Sequence, residues 1–307
     1  VIYLNYPWHL EIAPDQHGRI AIVTGANTGL GYETAQALAA KGTHVILACR
    51  DRSKAEAARQ KIIAYHPASN VEVRLIDTGN LQSVRQFADA FHRDFDQLDL
   101  LINNAGIMIT PHFVTPDGFE SQLGVNYLGH FLLTGLLLPT MTKTPQARVV
   151  SLYSLAANWS GIQFDDIQFQ KKYDAVKAYS QSKLACLMFG LELNQRLRDA
   201  GHDTLSLAAH PGFSQSDLSR HLPLPIRMLL SVFGNLYMQS AAAGALPSLY
   251  AALGEDLLGG EAVGPGGRKE KKGPPIVVRA NANALDQQQR DRLWSMSEAL
   301  CAFKYTF

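Results

Sequence analysis

The chain has 307 residues, 47% of them hydrophobic and 18% charged, with a formal net charge of +1. A chain of this length and balance buries a large apolar core without disulfides, and its near-neutral charge excludes a surface built to bind nucleic acid. Cys49, Cys186 and Cys301 lie far apart, form no CxxC and leave an odd count, which points to a reducing, cytoplasmic setting and to no metal site.

Residues 1–18 read as an N-terminal extension and lack the basic-then-apolar order of a signal peptide. From residue 19 onward, apolar runs alternate with helical patterns. Residues 20–24 predict a strand, 29–41 a helix, 44–49 a strand, 53–65 a helix, 71–76 a strand and 81–95 a helix. The alternation continues with a strand at 98–103, a long helix at 119–141, a strand at 148–153, a helix at 175–198 and a strand at 204–209. The longest apolar stretch, 127–139, is interrupted by Gly129, His130 and Gly135 and is too short to span a bilayer, so no membrane association is expected.

After His210 the pattern loosens. Residues 239–253 predict a helix, 261–275 a loop of Gly, Pro and Lys, 276–279 a last strand and 286–302 a closing helix. The expectation is an α/β fold with a single Rossmann-like, doubly wound parallel sheet of about seven strands and helices on both faces, all within one domain over 19–307.

The first strand runs into Gly25, Ala26, Asn27, Thr28, Gly29, Leu30 and Gly31, and a helix follows. Glycines at a strand-to-helix turn permit the tight bend, a close backbone approach to a pyrophosphate and close packing of the helix, whose N-terminus then faces the phosphates. The spacing is G-x3-G-x-G. An acidic residue at the end of the second strand would favour NAD, but here the strand ends on Cys49 and Arg50. A guanidinium suits the 2′-phosphate of NADP, so NADP(H) is the expected cofactor; the bland alternative is an Arg50–Asp51 pair.

Tyr179 and Lys183 stand four apart on one predicted helix face. A nearby ammonium lowers a phenol's pKa and makes it usable as an acid or base. The four segments Thr24–Gly31, Asn103–Gly106, Ser154 with Tyr179–Lys183, and His210–Gly212 together resemble the short-chain dehydrogenase/reductase family over about residues 18–220. The Ala48–Asp51 segment and the gap between Ser154 and Tyr179 resemble its retinol-dehydrogenase-like branch, which typically uses NADP(H).

The resemblance implies roles. Tyr179 exchanges a proton with the substrate oxygen, Ser154 hydrogen-bonds that oxygen, Lys183 holds the nicotinamide ribose and depresses the Tyr179 pKa, and Asn126 supports a proton-relay water. Asn104, Ala105 and Gly106 line the adenosine side, Asp77 contacts adenine, and Pro211, Gly212 and Ser216 lie near the nicotinamide. A substrate lid is expected at about 213–240, where Leu222, Leu224, Ile226, Met228, Phe233 and Met238 point to an apolar pocket. Tyr153 departs from the small residue relatives often carry there, and Thr78 follows Asp77 where leucine is usual.

The activity expected is therefore interconversion of an apolar ketone or aldehyde with its alcohol, within a homo-oligomer of the kind relatives form. The other readings are a non-catalytic dinucleotide sensor or scaffold, and reduction of a carbon–carbon double bond. The scattered histidines read as structural, His210 as packing at a strand end, and Arg268, Lys269, Lys271 and Lys272 around Glu270 as a solvated basic loop.

Overall fold

The computed structural model describes residues 7–214 and 238–307. The short Val-, Ile- and Leu-rich runs become strands β1 (Ile20–Thr24), β2 (His44–Cys49), β3 (Val71–Leu75), β4 (Leu100–Asn103), β5 (Arg148–Leu152) and β6 (Leu205–Ala209). Between them lie the helices α1 (Gly29–Ala40), α2 (Arg52–Tyr65), α3 (Leu81–Asp94), α4 (Ser121–Leu123), α5 (Gly129–Met141) and α6 (Ala175–Asp199). The chain ends with α7 (Ala241–Leu253), β7 (Ala262–Pro265), β8 (Pro275–Val278), α8 (Ala282–Leu285) and α9 (Gln287–Cys301).

The sheet order is β3-β2-β1-β4-β5-β6-β7-β8, parallel except for the antiparallel β7–β8 pair. The doubly wound parallel sheet expected from the sequence is thus the one formed. It has eight strands where about seven were expected, because part of the expected loop at 261–275 is strand β7. Gly264 and Pro265 disguise that strand, yet Val263 pairs with Ala209 of β6 on one side and Val277 of β8 on the other. The reversal of strand order between β1 and β4 opens a crevice at the carboxyl ends of the strands, the usual place for a ligand in such sheets.

Alternation along each strand sends side chains to two separate cores. Ile22, Ile46, Leu101 and Val149 face one layer, filled by Phe91 of α3, Phe131 of α5, Leu187 of α6 and Trp294 of α9. Val23, Leu47, Ile102 and Val150 face the other, filled by Leu38 of α1, Ile62 of α2 and Leu249 of α7. Each fully buried Leu, Ile or Phe contributes about 1.5–3 kcal/mol, which fixes strands and helices around the crevice.

The long helix expected at 119–141 begins at Ser121, capped by the Glu120 carboxylate, which accepts from the N–H groups of Gln122 and Leu123 at 2.8 Å each. Between α4 and α5 it widens into a π-helical turn, Gly124–Leu128, that carries Asn126. Such turns sit at functional positions more often than elsewhere in helices. Among the described residues no helix is long and apolar enough to cross a membrane.

Candidate active site

The glycine turn leaves β1 with the Gly25 N–H donating to Ala48 O at 2.8 Å. Gly31 is sterically required: a Cβ there would stand 2.4 Å from Asn104 Nδ2 and 2.5 Å from Gly25 O. The turn is braced by Thr24, whose Oγ1 accepts from the backbone N–H groups of Asn104 and Ala105 at 2.9 Å each. Asn104 Nδ2 closes the brace by donating to Thr24 O at 2.7 Å.

Thr24 also meets His130 Nε2 at 2.9 Å, while His130 Nδ1 lies 2.9 Å from Asn126 O. A carbonyl only accepts, so Nδ1 carries the hydrogen and Nε2 accepts from the Thr24 hydroxyl. Burial holds His130 neutral by pushing its pKa down to about 4. A buried strut therefore ties the glycine turn to the π-helical turn. Sequence reading missed Thr24 and His130 as site supports; the one signal was a hydroxyl residue closing an otherwise apolar strand.

α1 begins at this turn without a side-chain cap or an acidic residue in its first turn. By contrast α2, α3, α6, α7 and α9 are each capped by a side chain, from Asp51, Asn80, Asp174, Ser240 and Asp286. An uncapped N-terminus presents N–H groups and the positive end of the helix dipole, which suits a phosphate.

A cleft of about 1320 Å³ runs from this turn to Tyr179. Of the residues singled out from sequence, it brings together Gly25, Asn27, Thr28, Gly29, Leu30, Gly31, Arg50, Asp77, Asn104, Ala105, Gly106, Ser154, Tyr179, Lys183, Pro211 and Gly212. Asn126 is buried behind the wall: its Oδ1 accepts from Ile107 N–H at 2.8 Å, and its Nδ2 donates to Ile107 O at 3.0 Å and Ser182 Oγ at 2.9 Å. Its carbonyl also accepts from the Cys186 thiol at 3.2 Å. Ser216, together with most of the expected lid, lies outside the described residues.

At the β2 end, Cys49 is buried and its thiol is pushed up to about 11 by burial, against the backbone N–H groups of Ala26 and Asn27 that its sulfur faces. Asp51 does not pair with Arg50. Its carboxylate accepts from Lys54 N–H at 3.0 Å and lies 3.6 Å from Lys54 Nζ. Arg50 is exposed at the cleft edge, near Lys54 and Lys61. Asp77 accepts from Gly79 N–H at 2.9 Å and so shapes its own turn beside the cleft.

At the other end, α6 presents Tyr179 and Lys183 from one face, both buried. Ser154 follows β5 by two residues and caps a short 3-10 turn, accepting from Ala156 N–H at 3.2 Å. Lys183 Nζ donates to Leu152 O at 3.0 Å. The Tyr179 phenol is pushed up to about 12 by burial, with a hydrogen bond to Ser154 pulling the other way. Burial is the largest influence on Tyr179, and it also lowers the pKa of the Lys183 ammonium. Met108, Ile109, Leu155, Trp159, Phe213 and Met238 add an apolar wall that the sequence did not single out, Met238 excepted. Tyr153 neither projects outward nor stands free; it is buried with its ring edge-on to His210 at 5.0 Å.

The comparisons with known proteins bear on the family and the fold. The sequence matches the short chain dehydrogenase family model over residues 19–223. It is 40% identical to human (Homo sapiens) retinol dehydrogenase 13 over 288 residues, covering 92% of this chain and 84% of that one. To human retinol dehydrogenase 12 it is 41% identical over 288 residues, covering 94% and 88%. An uncharacterized protein from Mycobacterium Paratuberculosis superposes with a TM-score of 0.82 at 40% identity, over 98% of this chain and 100% of that structure. A chain this similar in sequence and fold belongs with these proteins: it is an oxidoreductase of the short-chain dehydrogenase/reductase family, in the retinol-dehydrogenase-like branch.

Proposed function

We propose that the chain interconverts an apolar ketone or aldehyde and its alcohol with NADP(H), Tyr179 exchanging the proton. The observation that carries this is the buried Tyr179 phenol, hydrogen-bonded to Ser154, on the wall of the same cleft into which the uncapped α1 N-terminus opens. The donor set fits a dinucleotide phosphate: main-chain N–H groups at α1 for the pyrophosphate, and Arg50, free of Asp51, for a 2′-phosphate. A bound nicotinamide supplies hydride transfer, and the protein supplies orientation and the proton.

Negative charge develops on a carbonyl oxygen as it is reduced, so Ser154 and Tyr179 serve as hydrogen-bond donors aimed at it. Burial keeps Tyr179 protonated across the neutral range, the form required to donate a proton. The Lys183 ammonium, anchored on Leu152 O, is at hand for a ribose hydroxyl. The relatives named as retinol dehydrogenases and the apolar wall from Met108 to Phe213 support a long apolar alcohol or carbonyl as the substrate class.

The test is a carbonyl panel read by NADPH absorbance. Tyr179→Phe should lower kcat by about 10²- to 10⁴-fold while NADPH affinity persists. The reduction rate should hold through the neutral range and fall only as Tyr179 ionises, toward about 12. Undiminished turnover in Tyr179→Phe would defeat the assigned role.

A further inference from the structure

The wall of the cleft at residues 211–213 is gripped from outside by residues 266–273, a segment the chemistry above leaves unused. The Glu270 carboxylate accepts from His210 Nε2 at 3.0 Å. The ring's orientation is set, because Gly212 N–H donates to His210 Nδ1 at 3.2 Å and leaves the hydrogen of the neutral ring on Nε2. Phe213 N–H donates to Lys271 O at 2.9 Å, and the Lys271 ammonium stands 5.0 Å from the centre of the Phe213 ring.

Two glycines make the approach feasible. A Cβ on Gly212 would stand 2.4 Å from Lys271 O, and one on Gly264 would stand 2.0 Å from His210 Nε2. The gripping segment is bent to fit: Lys269 and Glu270 both have φ of 55°, a left-handed conformation that side-chain-bearing residues seldom adopt, least of all in succession. The Gly267 N–H to Lys272 O bond at 2.9 Å and the Glu270 N–H to Gly267 O bond at 2.9 Å close it on itself. Strain of this kind persists where the surroundings over-determine it, and it concentrates at functional positions. The same wall is held from its other side, where Gln239 Nε2 donates to Pro211 O at 2.7 Å and Gln239 N–H to Phe213 O at 2.8 Å.

We propose that residues 266–273 form a clasp that sets the 211–213 wall against the bound cofactor, with Glu270 as the positioning residue acting through His210. A loop that served only to carry charge into solvent needs neither the paired histidine nor the left-handed backbone. The clasp also explains why the strand preceding it, β7, carries a glycine opposite His210. The proposal rests on the oxidoreductase reading for its kinetic consequence, but the grip itself is independent of any reaction.

The full-length chain and its variants Glu270→Ala, Glu270→Gln and Arg268→Ala separate the two. Amide hydrogen exchange at Gly212 and Phe213 reads the grip, and steady-state kinetics with NADPH and a reducible carbonyl reads its consequence. Glu270→Ala should speed exchange at both amides about tenfold and raise the KM for NADPH about fivefold, with kcat changed less than about twofold. Glu270→Gln, whose amide oxygen still accepts from His210, should restore both to within about twofold of the parent. Arg268→Ala, an exposed cation of the same loop, should leave both unchanged. Parental exchange rates in Glu270→Ala, faster exchange with an unmoved KM, or a Glu270→Gln no better than Glu270→Ala would each overturn the clasp as a positioning device. If the parent turns over no carbonyl, the oxidoreductase reading falls while the exchange measurement still decides the grip.

Discussion

The two ends of the cleft are made in different ways. The dinucleotide end comes from short segments at the carboxyl ends of adjacent strands: the turn after β1, Arg50 after β2, Asp77 after β3 and Asn104 after β4. The far end is assembled from pieces remote in sequence: Ser154 after β5, Tyr179 and Lys183 on α6, the 211–213 wall, and the 266–273 loop that returns to hold it. At the first end the local turn chemistry nearly dictates the function. At the second, each residue acquires its role from a partner dozens of positions away, so a fault in one partner travels to the other.

The largest effect expected among tests of this contrast is at Thr24, where the local end depends on a remote support. Thr24→Val keeps the shape but removes the acceptor for the part-buried Ala105 N–H and the donor to the buried His130 Nε2, while the Asn104 N–H keeps its bond to Ile102 O. Leaving such groups unpaired should cost about 2–4 kcal/mol in urea unfolding and weaken NADPH binding as well. Thr24→Ser should recover most of both. A Val variant as stable as the parent would show that the strut carries no weight.

A smaller effect is expected from acid, through the same strut. The folded His130 titrates near 4 whereas the ordinary value is 6.5. As pH falls below about 6.5 the unfolded chain takes up the proton first, so the contribution is whole above 6.5 and drains away between 6.5 and 4. Thermal melts across this window should lose on the order of 2 kcal/mol to His130, and His130→Gln should flatten part of the slope. His210, also pushed down to about 4 by burial, accounts for a further share of the slope in both proteins. Identical slopes would remove His130 from the account.

This contrast also explains what the sequence made legible. β1, the glycine turn and α1 are contiguous and carry strong local signals, so their boundaries fall within a residue of those expected. Ser154, Tyr179 and Lys183 were identifiable as a set only through the order of family motifs, since a Y-x-x-x-K spacing alone has no site attached. β7 was hidden because Gly264 and Pro265 answer to neighbours, His210 and Pro275, rather than to strand propensity. The π-helical turn at Asn126 left no mark in apolar periodicity. The burial that raises the Tyr179 pKa was not legible, because a pattern of two residues shows the ammonium but not the surroundings. The Glu270–His210 pair spans 60 positions and joins a loop read as solvated to a histidine read as packing.

The smallest effect, and the one that bears most directly on the local end, concerns Arg50. Asp51 is committed to the α2 cap and to Lys54, and among the described residues Arg50 has no hydrogen bond or ion pair. An exposed guanidinium of this kind is positioned to read a 2′-phosphate without giving up a protein partner. Arg50→Ala should raise the KM for NADPH about tenfold, equivalent to about 1.4 kcal/mol, and leave that for NADH within about twofold. Lys54 and Lys61 border the same end and should retain part of the preference. Because the site is open to solvent, the discrimination should shrink as salt rises from 0.05 to about 0.5 M. Equal losses for the two cofactors would show that Arg50 does not read the phosphate, and would move the preference to the lysines of α2.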